Sequence, residues 1–214
     1  QSELSSKMIP KAYPLEKVGI FCQYEGNNLV VEYSDMPKAM QELLDENGEI
    51  VFRSGSVAIH LFDRDFIERV GSASSADKLP YHKAVKKIPF INGSGEYKSP
   101  KELNGVKFEM FVFDALSKAN NTVIIEGLRN DNFSPVKNAD GIDSPKSCQK
   151  DQLNQAIRWL NAADVELDIS PEGNKTKDFS FEINYRFAMD EEDFINQWNN
   201  LKNKPTIELG TIIE

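Results

Sequence analysis

The sequence predicts an α/β protein: a mixed β-sheet flanked by helices, followed by a small α+β appendage. Two observations predict it. Short runs rich in β-branched and aromatic residues alternate with segments of helical period, and Gly, Asn, Asp and Pro clusters fall between them. The 214 residues are 40% hydrophobic and 28% charged, a balance suited to one medium domain with a real core.

In chain order, Val18–Tyr24 and Asn28–Ser34 read as two strands of a hairpin, joined by the turn-forming Glu25-Gly26-Asn27. Pro37 opens a helix over KAMQELLDE that stops before Asn47-Gly48. A short strand IVF, a loop RSGS and a buried strand Val57–Phe62 follow. Asp63 is placed to cap a helix DRDFIERV, and Asn92-Gly93 with Ser94-Gly95 marks a surface turn. The spacing of Phe108, Phe111, Val112, Ala115 and Leu116 predicts a helix over Val106–Ala119, before a strand at Thr122–Leu128. These alternations predict mainly crossover connections within the sheet.

The stretch Arg129–Pro145 is too rich in Asn, Asp, Ser and Pro to be regular, and loops of such length are often functional. A helix KSCQKDQLNQAIRWLNAA then presents Leu153, Ile157 and Leu160 on one face. VELDIS, a turn EGNKTKD, FSFEINYRFA, a helix EEDFINQWNN and TIELGTII form the appendage. The expected division is therefore 1–163 and 164–214, with the boundary near Asp164.

The formal net charge of -9 argues against nucleic acid or an anionic membrane as partner, since either calls for a basic face. Small phosphates remain possible ligands, because two or three well-placed lysines can dominate a local field. No apolar run approaches the roughly 20 residues of a membrane span, and the opening QSELSSKMIPK lacks the n- and h-regions of a secretory signal. Cys22 and Cys148 have the spacing of neither a zinc site nor a disulfide framework, so a reducing, cytoplasmic setting is expected.

Five stretches occur in order from about Lys7 to Leu160: VGIFCQYEGNNLVVEYSD, FRSGSVAIHLF, HKAVKKIPFI, NGVKFEMFVFD and FSPVKNADG. Together they resemble the UDP-N-acetylglucosamine pyrophosphorylase and UTP-glucose-1-phosphate uridylyltransferase family. The resemblance implies a nucleotide-diphospho-sugar transferase scaffold, Rossmann-like, of which residues 1–163 form the C-terminal, sugar-phosphate half. It also implies UTP and a sugar 1-phosphate as substrates, most simply N-acetylglucosamine 1-phosphate. The Gly-rich phosphate loop and the aspartate that holds Mg²⁺ would then lie in an N-terminal half not represented in these residues.

By the same resemblance, Glu32 in VVEYSD grips sugar hydroxyls, a task suited to a double acceptor. Gly19 lets backbone approach the sugar, and Lys107 and Lys137 contact phosphates. Lys107 also stands at the start of the predicted helix, where unpaired N–H groups favour an anion. Phe111 and Phe113 match aromatics beside the N-acetyl group, although an ideal helix separates their directions by about 200°. Ser56 stands where eukaryotic N-acetylhexosamine enzymes carry a sugar-binding asparagine, so GSVAIH looks more like the bacterial-type branch and leaves glucose 1-phosphate open.

The two histidines, His60 and His82, are read as structural, because a sugar phosphate is already ionised and needs no strong base. A noncatalytic module that binds nucleotide sugar or serves assembly is the alternative from another class. A glycosyltransferase ranks lower, since Asp63-Arg64-Asp65 has the form of a metal motif but sits where a helix cap is expected.

Overall fold

The computed structural model describes residues 2–72, 78–165, 167 and 181–214. The chain forms two compact units, Gln1–Leu128 and Arg129–Glu214.

A five-stranded sheet organises the first unit, in the order β3-β2-β4-β1-β9. Its strands are β1 (Leu4–Pro10), β2 (Gly19–Tyr24), β3 (Asn27–Val31), β4 (Ser54–Phe62) and β9 (Thr122–Glu126). All neighbours are antiparallel except β1 and β9, which run parallel. The expected mixed α/β sheet is present, but hairpin-like pairing prevails over the crossover connections foreseen from the alternation of elements.

The β2–β3 hairpin closes on Glu25 and Gly26, with φ of 49° and 81°. Positive φ at both central residues is the geometry whose twist matches the flanking strands, and glycine makes the second position easy. The opening segment, read only as a non-signal stretch, instead supplies an interior strand, between β4 and β9. Leu4, Ser6 and Met8 are buried at every second position, as the strand period requires.

Helix α1 (Lys38–Gln41) stops well short of the predicted KAMQELLDE. Asp45 explains the stop: its Oδ1 accepts from the backbone N–H groups of Asn47 and Glu49, and Leu44 forms an isolated bridge to Ile50. A short acceptor side chain that captures local backbone donors favours a turn over further helix. Ile50 therefore belongs to this bridge rather than to an IVF strand, and the expected RSGS loop is largely taken into β4. Helix α2 (Arg64–Gly71) begins as predicted, with the Asp63 carboxylate accepting from the Asp65 N–H at 2.9 Å.

The predicted helix over Val106–Ala119 is divided. Its first part is β8 (Gly105–Glu109), paired antiparallel with β5 (His82–Lys86) as a two-stranded ribbon. Its second part is a 3-10 helix, Val112–Lys118. Cross-strand pairing prevails over a helical period that short apolar runs specify only weakly. Between these strands, β6 (Phe90–Ile91) and β7 (Tyr97–Lys98) form a small hairpin around the predicted surface turn. The main core of this unit joins Leu4, Met8, Phe21, Val30, Phe66, Ala115 and Leu116, so the 3-10 helix covers one face of the sheet.

The second unit packs α4 (Pro145–Ala162) and α5 (Glu191–Asn200) around Ile157, Leu160, Phe194 and Trp198. One turn, α3 (Arg129–Asn132), interrupts the otherwise irregular stretch that precedes α4. Strands β10 (Glu182–Ile183) and β11 (Ile212–Ile213) pair in parallel. Asp164 lies just beyond α4. Most of VELDIS and all of EGNKTKD fall outside the described residues. Among the described residues, no helix is long and apolar enough to cross a membrane.

Helix α4 is started by Ser144, which is almost wholly buried. Its N–H donates to Ser147 Oγ at 2.9 Å, and its own Oγ accepts from the Ser147 N–H at 3.3 Å, a reciprocal capping box. The Ser144 hydroxyl also donates to the Gly141 carbonyl at 2.7 Å. Ser144→Ala is therefore expected to cost about 1–2 kcal/mol, read as a lower urea midpoint for the second unit. An unchanged midpoint would show that the cap contributes nothing to stability.

Candidate functional site

Pairing register assembles three of the expected sugar-contact residues on one sheet face. Gly19 opposes Ser56 across β2 and β4, and Ile20 opposes Val31 across β2 and β3, which sets Glu32 beside Gly19. Residues at alternate positions share a face, so Gly19, Phe21, Val30 and Glu32 project together. The geometry bears this out. A Cβ added to Gly19 would stand 2.8 Å from Val30 Cγ1 and 3.0 Å from Glu32 Oε1. Only a hydrogen at this position leaves room for the carboxylate.

Glu32 is half-buried, and its backbone carbonyl accepts from the N–H groups of Asp35 and Met36 at 2.9 and 3.2 Å. That turn fixes the chain immediately past β3. Ser56 is placed by an irregularity in β4. Lys7 pairs with Ile59 but Met8 with Ser56, so Val57 and Ala58 are extra residues, and Ala58 has φ 56°. Such a bulge re-aims side chains and is costly enough for a β-branched or methyl-bearing residue that the surrounding sheet must enforce it.

The 3-10 helix brings aromatics to this face. Phe113 packs against the buried cluster that contains Phe21 and Val30. Phe111 stacks on Phe113, with centroids 4.9 Å apart and an interplanar angle of 26°. The helical-wheel objection to this pair thus falls away. Phe111 has φ -99° and ψ 126°, so the backbone is extended where the 3-10 helix begins, and residues two apart turn to the same side.

Lys107 is exposed, and it lies in β8 rather than at a helix N-terminus, so no helix dipole assists it. Its Nζ sits 2.5 Å from Glu109 Oε1 on the same strand face. The hydrogen bond from Lys107 and then its charge hold the Glu109 carboxyl below the usual range, with a smaller contribution from Lys86. Lys137 is an exposed residue of the second unit. Its N–H donates to the Asp143 carbonyl at 2.7 Å, and Asn138 Nδ2 donates to the Ile142 carbonyl, so the loop that carries it is closed by local hydrogen bonds.

A contact that the sequence did not suggest lies beside Phe111. His82 Nε2 is 2.6 Å from Asp114 Oδ2, and the imidazole rests 4.4 Å from the Phe111 ring. The second histidine, His60, faces inward: its Nδ1 is 2.8 Å from the Ser6 hydroxyl, and its buried Nε2 meets no hydrogen-bond partner among the described residues. Among the described residues, no three or more His, Cys, Asp or Glu side chains come together as a metal site.

This arrangement belongs to a known class of fold. The chain superimposes on the crystal structure of an Entamoeba histolytica protein assigned as a UDP-N-acetylglucosamine pyrophosphorylase. The TM-score is 0.76 and the identity 30%, over 100% of this chain and 50% of that one. It is also similar in sequence to UDP-N-acetylhexosamine pyrophosphorylase-like protein 1 of Xenopus tropicalis, 37% identical over 164 residues, 76% of this chain and 32% of the relative. The UDP-N-acetylglucosamine pyrophosphorylase of Saccharomyces cerevisiae is 32% identical over 166 residues, 75% of this chain and 35% of the relative. No protein-family model matches the chain.

The chain spans about a third of the length of these curated relatives. All three organisms are eukaryotes. The similarity therefore supports the UDP-N-acetylglucosamine pyrophosphorylases and not the bacterial-type branch that Ser56 and GSVAIH suggested.

Two measurements test this geometry. Gly19→Ala should destabilise the first unit by about 1–3 kcal/mol in urea, because Val30 and Glu32 must both move; an unaltered midpoint would mean the contacts yield freely. Burial lowers the His60 pKa below its usual 6.5. The unfolded chain then binds the proton first, so stability conferred by neutral His60 is complete above pH 6.5 and is lost as pH falls below it. His60→Gln should flatten the decline in urea midpoint on going from pH 7.5 to 5.5, and an equal decline in both proteins would contradict the assignment.

Proposed function

We propose that the protein carrying this chain transfers UMP from UTP to N-acetylglucosamine 1-phosphate, yielding UDP-N-acetylglucosamine and pyrophosphate. The observation that carries the reading is the assembly of Gly19, Glu32 and Ser56 on one sheet face, with Phe113 of the Phe111–Phe113 stack packed against the adjoining Phe21 and Val30 cluster, in a chain similar to named pyrophosphorylases. Glu32 accepts hydrogen bonds from ring hydroxyls, and the stacked phenylalanines offer an apolar surface to the N-acetyl group.

In the reaction, an oxygen of the sugar phosphate attacks the α-phosphorus of UTP. The bond from that phosphorus to the bridging oxygen of the β-phosphate breaks, and pyrophosphate departs with the electron pair. The nucleophile is already ionised, so catalysis rests on position and on positive charge near the phosphates. Lys107 and Lys137 supply that charge from this chain. Lys107 would exchange its Glu109 partner for phosphate oxygens, an ion pair on an exposed strand being weak enough to yield. Mg²⁺ and the remaining UTP contacts are assigned to residues outside this chain, and the setting is cytoplasmic.

Ser56 is shorter than the asparagine of eukaryotic relatives and gives one donor, which favours glucose 1-phosphate as the second substrate to assay. UDP-sugar formation by the intact protein, with both sugar phosphates in parallel, tests the proposal; failure with both would leave the noncatalytic reading. Lys137→Ala should lower kcat by about two to three orders of magnitude with unaltered thermal unfolding, since an exposed lysine contributes little to stability. Unchanged turnover would remove Lys137 from the site.

A further inference from the structure

We propose that His82, oriented by Asp114, is a positioning residue that fixes the Phe111–Phe113 stack for the N-acetyl sugar; the role rests on the uridylyltransferase reading above. The three rings form one continuous stack, His82 on Phe111 at 4.4 Å and Phe111 on Phe113 at 4.9 Å. Each end is anchored. Phe113 packs into the buried cluster with Val30 and Leu116, and His82 is held by the 2.6 Å contact to Asp114. Phe111, between them, has its ring plane set from both sides.

The contact to Asp114 also decides what His82 can do. A carboxylate oxygen accepts, so Nε2 carries a proton and directs it to Asp114. Asp114 is itself placed by the 3-10 helix: its N–H donates to the Phe111 carbonyl at 3.1 Å, and its carbonyl accepts from the Ser117 hydroxyl at 2.9 Å. The contact thereby fixes the tautomer and the orientation of the imidazole against Phe111.

His82 is also a joint between two elements. In the ribbon it opposes Glu109, while Ala84 opposes Lys107 and Lys86 opposes Gly105. Alternation puts His82, Ala84 and Lys86 on one face with Glu109, Lys107 and Gly105. The strand that carries Lys107 is thus tied through His82 to the helix that carries Asp114 and Phe113. Displacements of about 1 Å in positioning groups can cost on the order of 100-fold in rate, so such a tie affects substrate placement without touching the reacting atoms.

The test is steady-state kinetics of the intact protein with His82→Ala, Asp114→Ala and Asp114→Asn. The two alanine variants should raise KM for N-acetylglucosamine 1-phosphate about tenfold, with KM for UTP unchanged. Asp114→Asn keeps an oxygen acceptor for Nε2–H and should restore KM to within about threefold of the unaltered protein. A purely structural defect lowers the folded fraction, which depresses apparent kcat and leaves both KM values in place. Unchanged KM for the sugar phosphate in both alanine variants, or an equal rise in both KM values, overturns the positioning role while uridylyl transfer by the unaltered protein stands. Absence of UDP-sugar formation by the unaltered protein overturns the uridylyltransferase reading and this role with it.

Discussion

The first unit depends on the hydrogen-bonded placement of β1 between β4 and β9. Leu4–Pro10 pairs antiparallel along β4 on one side and parallel with β9 on the other. An interior strand pairs its backbone donors and acceptors along both edges, and it fixes the register of both neighbours. Glu3, just before it, adds side-chain ties: its carboxylate accepts from the Asn120 backbone and side chain and from Arg69. These bonds, with that from the Asn120 backbone foremost, hold its pKa below the usual value. Residues separated by over a hundred positions are thereby locked around the start of the sheet.

That register has a direct chemical consequence. The shift between Lys7 and Met8 creates the bulge at Val57 and Ala58, and the bulge sets Ser56 opposite Gly19. Gly19 in turn admits the Glu32 carboxylate over its α-carbon. A one-residue slip would turn each of these side chains to the other face. The polar row and the core under the 3-10 helix are consequently products of the same pairing, and sheet stability and site geometry are coupled.

Ordered motifs marked Gly19, Glu32, Lys107, Phe111 and Phe113 before any coordinates, and the structure sets Gly19, Glu32 and Ser56 side by side on the sheet. The setting of Lys107 was misread. Phe108, Phe111, Val112 and Leu116 fit a helical period, yet Val106 and Phe108 also suit a strand, and the presence of β5 as a partner decided between them. The same revision brings Phe111 and Phe113 into contact, where an ideal helix would part them. His82 and Asp114, 32 residues apart, gave no local signal, because a side-chain pair of that separation exists only once ribbon and helix have met.

The sequence by itself determined the features written in a few consecutive residues: the Glu25-Gly26 turn, the Asp63 cap, the helical face of α4, and the acidic balance that argues against nucleic acid or an anionic membrane as partner. Each depends on local dihedral preference, on a side chain reaching its own backbone, or on summed charge. Only the tertiary structure decided that LSSKMIP is an interior strand, that the predicted Val106–Ala119 helix divides, and that His82 meets Asp114. Those outcomes rest on pairing between distant segments, where cross-strand hydrogen bonds and shared burial outweigh weak local propensity.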